Sequence, residues 1–148
     1  MKKVLSIMIL VLSVMVVLSC ASKKPITTSK DAENAVKKVL DKFRGDLILT
    51  DAETYEVKAG DTLSAIARTK YHNGSYFPLI QLASGDVVLD YDLIDIGMKL
   101  TLPDLQKNLD DARAKAKLKE FLIEIAKIED RRDRPQTADG LRNLSDSL

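Results

Sequence analysis

The stretch YEVKAGDTLSAIARTKY, residues 55–71, and its continuation DLIDIGMKLTLP, residues 92–103, decide how this chain folds. In the first, Tyr55 and Val57 alternate with polar residues as a short strand does, Gly60 permits a turn, and Leu63, Ile66 and Ala67 recur at helical spacing. In the second, Met98, Leu100 and Leu102 fall on one face and Lys99 and Thr101 on the other, which predicts another strand. Between them the run FPLIQLA, residues 77–83, reads as a second helix after a break at Asn73, Gly74 and Ser75. Asp61 and Thr62 each carry a side-chain oxygen able to accept from the unpaired amides of the first helical turn.

The residues Tyr55, Val57, Gly60, Asp61, Thr62, Leu63, Ile66, Ala67, Ile80, Ala83, Asp92, Leu93, Ile94, Gly97, Leu100 and Pro103, in that order and spacing, resemble the lysin motif (LysM) family across roughly a third of the chain. The resemblance implies an α+β fold, a single LysM βααβ unit, here with flanking amphipathic α-helices. It also implies binding of N-acetylglucosamine-containing glycan, chiefly peptidoglycan or chitin, in a shallow groove. Gly60, Asp61, Thr62, Leu63 and Ser64 would form one wall of that groove, and Asp92, Leu93, Ile94 and Asp95 the other. An N-acetyl group offers a donor, an acceptor and a methyl, so a turn with accessible backbone beside apolar side chains suits it, and Gly60 lets the backbone approach. Each of these residues also has a structural reading: Gly60 for the turn, Asp61 and Thr62 as caps, Leu63, Leu93 and Ile94 as core. Three positions depart from the family pattern: Ser84 replaces an asparagine, and Tyr91 and Ile96 replace prolines. Losing the prolines frees backbone φ and predicts a less preorganised second wall. Tyr91 is placed to stack on a sugar face or, equally, to pack on the surface.

Upstream, Lys2 and Lys3 precede an apolar run from Val4 to Leu18, and Ser19 and Cys20 follow. This is the plan of a secretory signal over residues 1–19, shorter than the ~20 apolar residues of a spanning helix. Val17, Leu18, Ser19 and Cys20 resemble a bacterial lipobox, which implies cleavage before Cys20 and attachment of lipid, palmitate included, to it. Cys20 is the single cysteine, so no intramolecular disulfide is available. Several acyl chains, at ~0.8 kcal/mol per buried methylene, would hold the protein on a membrane. The expected location is the cell envelope, anchored to a bacterial membrane and facing the periplasm or cell wall. Removing the signal takes two of the 23 basic residues, leaving 21 against 22 acidic ones. A chain this close to neutral has no basic field to steer it to nucleic acid.

Residues 20–30 read as the lipidated end and a polar tether, and residues 31–50 as an accessory helix and connector. The helix places Ala32, Ala35, Val36, Val39, Leu40 and Phe43 on one face, with Ser29 or Asp31 as cap and Gly45 as stop. DLILTD, residues 46–51, reads as an extended segment. Residues 51–104 make the LysM unit, and 105–134 a long helical segment free of glycine, one long helix or two nearly continuous ones. Its two offset seams, one through Leu105, Leu109, Ala112 and Ala116, the other through Leu118, Phe121, Leu122, Ile125 and Ile128, exclude a uniform heptad. The heavier seam is expected to pack on the accessory helix or the LysM unit. If exposed, it would favour a rival reading, an interaction protein that recruits a partner or dimerises through its helices with the LysM unit as a spacer. Pro135 ends the run, and in the tail, residues 135–148, Leu141, Leu144 and Leu148 mark a short docking helix.

Nothing else carries chemistry. A lone His72 does not make a triad, Asp86, Asp90, Asp92 and Asp95 lack the intervening pattern of a calcium loop, and the mixed run from Glu129 to Arg134 reads as a solvated helix end. No nucleotide fingerprint or zinc pattern is present, so neither cofactor, metal nor enzymatic activity is expected.

Overall fold

The computed structural model describes residues 25–148; Cys20, the lipobox and the signal lie outside the described residues. The chain is mixed α+β and mostly helical.

Helix α1 (Ser29–Phe43) buries Ala32, Val36, Leu40 and Phe43. Its cap is Thr28 rather than Ser29 or Asp31: the Thr28 hydroxyl accepts from the Asp31 amide at 3.1 Å. A 3-10 turn over Arg44–Asp46 ends it. The connector that follows is extended at Leu47 but pairs with no strand among the described residues. Instead the fully buried Asn108 takes the Ile48 amide on its Oδ1 and donates Nδ2 to the Ile48 carbonyl, both at 2.9 Å. One side-chain amide thus supplies the donor and acceptor that a neighbouring strand would have offered.

Strands β1 (Glu53–Glu56) and β2 (Lys99–Leu102) form an antiparallel pair with Tyr55 opposite Leu100 and Glu53 opposite Leu102. Two strands alone are marginal in water, and α2 (Leu63–Tyr71) and α3 (Phe77–Ala83) cover them. Ser84, at the position of the family's asparagine, is buried against the outer edge of β2, where its hydroxyl accepts from the Thr101 amide at 2.8 Å. The serine satisfies a backbone donor that β1 cannot reach.

The run after Pro103 is two helices, α4 (Leu105–Asp110) and α5 (Ala112–Arg131), separated at Asp111. Asp111 leaves helical geometry with ψ 116° and its carboxylate accepts from the Ala114 amide at 2.8 Å, capping α5. The break falls inside the first expected seam: Ala112 and Ala116 are exposed, and the buried face of α5 runs instead through Ala114, Leu118, Phe121, Leu122, Ile125 and Ile128. Pro135 does not merely stop a helix; it opens α6 (Pro135–Ser147), where its fixed φ suits the first turn and its missing amide costs nothing. Asp133, with φ 59°, makes the tight reversal before it. α6 folds back along α5, so the Ser145 hydroxyl reaches the Lys119 carbonyl at 3.3 Å.

The seam Leu118, Phe121, Leu122, Ile125 and Ile128 is buried within the chain, in contact with α1 and α6. Phe121 meets Phe43 edge to face, with ring centroids 5.9 Å apart. It therefore presents no apolar surface to a partner. One hydrophobic cluster runs without interruption from Leu40 and Phe43 through Leu63, Ile80 and Leu100 to Phe121 and Leu141.

Candidate functional site

Two turns of the same kind stand at the ends of the strands. The Asp61 amide donates to the Lys58 carbonyl at 3.1 Å, and the Met98 amide to the Asp95 carbonyl at 3.0 Å. In each turn the third residue is a glycine, Gly60 and Gly97, with φ +85°, while Ala59 and Ile96 keep negative φ. That combination defines type II turns, whose third position disfavours any residue with a Cβ. A Cβ on either glycine would meet nothing within 4 Å, so the requirement is conformational rather than spatial. The turns are bound to each other: the Gly97 amide donates to the Val57 carbonyl and the Val57 amide to the Met98 carbonyl, both at 2.9 Å.

Among the residues expected to form the first wall, Asp61 braces the turn. Its Oδ2 accepts from the Lys58 amide and the Tyr55 hydroxyl, each at 2.8 Å. The Lys58 amide, followed by the Tyr55 hydroxyl, holds the Asp61 carboxyl below the ordinary carboxylate range. The α2 cap is Thr62, whose hydroxyl accepts from the Ala65 amide at 3.1 Å. Leu63 is buried in the core, and Ser64 is exposed one position further on.

Among the residues expected to form the second wall, Leu93 is not core: it is 64% exposed, and its neighbour Ile96 is 73% exposed. Ile94 is half-buried, and Asp92 and Asp95 are exposed. Phe77, at the start of α3, connects the two sides. It lines a depression of about 390 Å³ together with Ser64, Arg68 and Gly74, and its ring packs on Tyr91 with centroids 4.8 Å apart. Sequence reading placed Phe77 only in an apolar helix; a large aromatic at the first position of a short helix was the available signal.

Tyr91 is half-buried rather than free at a groove edge. Its hydroxyl donates to Glu129 Oε2 at 2.7 Å and accepts from Arg134 Nη1 at 3.2 Å. Burial first, and then the bond to Glu129, push the Tyr91 hydroxyl up to about 12, so it remains a donor at neutral pH. The neighbouring acids are also tied: Asp90 pairs with Arg132 at 3.0 Å and Asp92 with Arg134 at 2.5 Å. Glu129 itself has 0% exposure and accepts from Arg132 at 3.1 Å. The expectation of a solvated helix end over residues 129–134 is therefore corrected: this segment is where α5 grips the loop before β2.

Asp86 pairs with Arg44 at 2.5 Å, so of Asp86, Asp90, Asp92 and Asp95 the first three are engaged by arginines. Among the described residues no group of three or more candidate ligands could hold a metal. His72 is exposed at the left-handed end of α2. No helix among the described residues is long and apolar enough to cross a membrane.

Residues 55–103 match the family model of the LysM domain. LysM domains are non-catalytic binding modules for peptidoglycan and chitin. The chain is 41% identical over 61 residues to Esterase MT1326 of Mycobacterium tuberculosis (strain CDC 1551 / Oshkosh) and equally to Esterase Rv1288 of Mycobacterium tuberculosis (strain ATCC 25618 / H37Rv). The match takes in 41% of this chain but spans only 13% of each of those proteins. No solved structure matches significantly.

Proposed function

We propose, starting from the LysM domain at residues 55–103, that this chain binds N-acetylglucosamine-containing strands of peptidoglycan and is held to a bacterial membrane by lipid on Cys20. The observation that carries the reading is the pair of linked type II turns with the exposed Leu93 beside them. The first turn and the residues after it, Gly60, Asp61, Thr62 and Ser64, would offer backbone and hydroxyl groups to the N-acetyl amide. Leu93, Ile94 and Asp95 would offer apolar contact and an acceptor from the other side. Leu63 and Tyr91 serve this groove from beneath, one as core and one as a fixed support of the loop. Residues 51–104 are the binding unit in this reading, and the helices on either side steady it through the shared core.

A chain of residues 21–148 is expected to co-sediment with purified sacculi and to be released by soluble N-acetylglucosamine oligosaccharides. Recovery wholly in the supernatant at both low and moderate salt would overturn glycan binding. Labelled palmitate should enter the full chain and not its Cys20→Ala variant; equal labelling of both would remove the anchor from the proposal. The rival reading, a partner docked on the long helical seam, has lost the exposed surface on which it depended.

A further inference from the structure

The fifteen positions from Ser84 to Met98 contain no helix or strand. Most of the hydrogen bonds within this loop are local: Val87 and Val88 amides to the Ser84 carbonyl, Leu93 amide to the Asp90 carbonyl, Asp92 amide to the Asp90 side chain. Such a loop needs tertiary anchors to hold one conformation. It has a run of them at three consecutive residues, Asp90, Tyr91 and Asp92, which are bound respectively by Arg132, Glu129 and Arg134. The Arg132 and Asp90 side chains are each only 10% exposed, so this pair is shielded from screening by salt. The anchors come from one short stretch at the end of α5 and the reversal into α6, outside the LysM domain.

We infer that Glu129, Arg132 and Arg134 are positioning residues for glycan recognition, with the C-terminal helical hairpin setting the geometry of the groove's second wall. The inference rests on the glycan-binding reading above and adds a control element to it. The clamp residues need not touch the sugar. They act by reducing the number of conformations in which the loop carrying Leu93, Ile94 and Asp95 waits for ligand, which raises affinity through preorganisation. The turn at Asp95–Met98 provides an independent way to do the same thing. Ile96 occupies the second position of a type II turn, where proline's φ is already correct, and no hydrogen bond from its amide would be lost.

The test uses residues 21–148, which include every described element, titrated calorimetrically with penta-N-acetylchitopentaose. Arg134 is 37% exposed, so Arg134→Ala is expected to fold, and circular dichroism at the assay temperature checks this. Its affinity should fall about tenfold, equivalent to ~1.4 kcal/mol. Adding Ile96→Pro to Arg134→Ala should recover most of that loss, and amide exchange at Leu93 and Gly97 should quicken in the single variant and slow again in the double. Wild-type affinity in Arg134→Ala overturns the inference. A loss that Ile96→Pro leaves untouched also overturns it, because the arginine would then be contacting glycan directly. A wild-type chain that binds no oligosaccharide and no sacculi defeats the glycan reading itself, a result separate from either of these.

Discussion

Glu129→Ala is expected to lower the stability of the folded chain by about 3–5 kcal/mol, the usual consequence of removing one member of a buried ion pair. The carboxylate is fully buried and receives the Tyr91 hydroxyl on one oxygen and Arg132 on the other. Truncation leaves both donors in a site that water reaches poorly. Arg132 retains Asp90, which places the loss toward the lower end of the range. Tyr91 retains only its contact with Arg134, a donor rather than an acceptor, so its hydroxyl proton has no partner. Glu129→Gln keeps the shape and an acceptor oxygen and should cost less than the alanine variant. Urea unfolding followed by far-ultraviolet circular dichroism measures both, and a Glu129→Ala loss under about 1 kcal/mol would show that the cluster behaves like a solvated surface network.

Phe121→Ala should be comparably severe, about 3–5 kcal/mol for a fully buried aromatic. Phe121 sits where α5 meets α1, edge to face with Phe43, and backbone rigidity on both sides limits collapse into the space left behind. The effect should reach the LysM domain, because the same hydrophobic cluster passes through Leu63, Ile80 and Leu100. Helical signal and tyrosine fluorescence are therefore expected to report one coincident transition, shifted together in the variant. Two separated transitions, with only the helical one moved, would contradict a shared core.

The βααβ order could be read from residues 55–103 because local signals agreed with one another. Alternation, helical spacing, a capping threonine and glycines at both turns all pointed to the same elements. The outlying helices could be placed but not joined. Nothing in the apolar pattern distinguished Asp111 as a break from an ordinary helical aspartate, because a cap is recognised by backbone geometry that only packing decides. Pro135 reads as a stop when it is a start, an ambiguity inherent in a residue that disfavours what precedes it and suits a first turn. The largest gap concerned the site. Tyr91 and the run from Glu129 to Arg134 are separated by nearly forty positions, and a charged run of mixed sign looks identical whether it faces water or the rest of the chain. Their meeting depends on the end of α5 packing against the loop before β2, a tertiary event with no local signature. The absence of proline at positions 91 and 96 indicated a loose loop; a set of arginine contacts supplies the restraint instead.

The Ile48 amide belongs to no helix or strand, and by position alone it would be counted among the groups that trade hydrogen for deuterium freely. Its acceptor, however, is the carboxamide of Asn108, which has no solvent exposure and whose nitrogen is itself held by the Ile48 and Asp104 carbonyls. The protection of that one proton is therefore governed by α4 and not by the segment it sits in. A labelling profile that marks the Ile48 amide as slow would be reporting the integrity of a helix some sixty positions downstream.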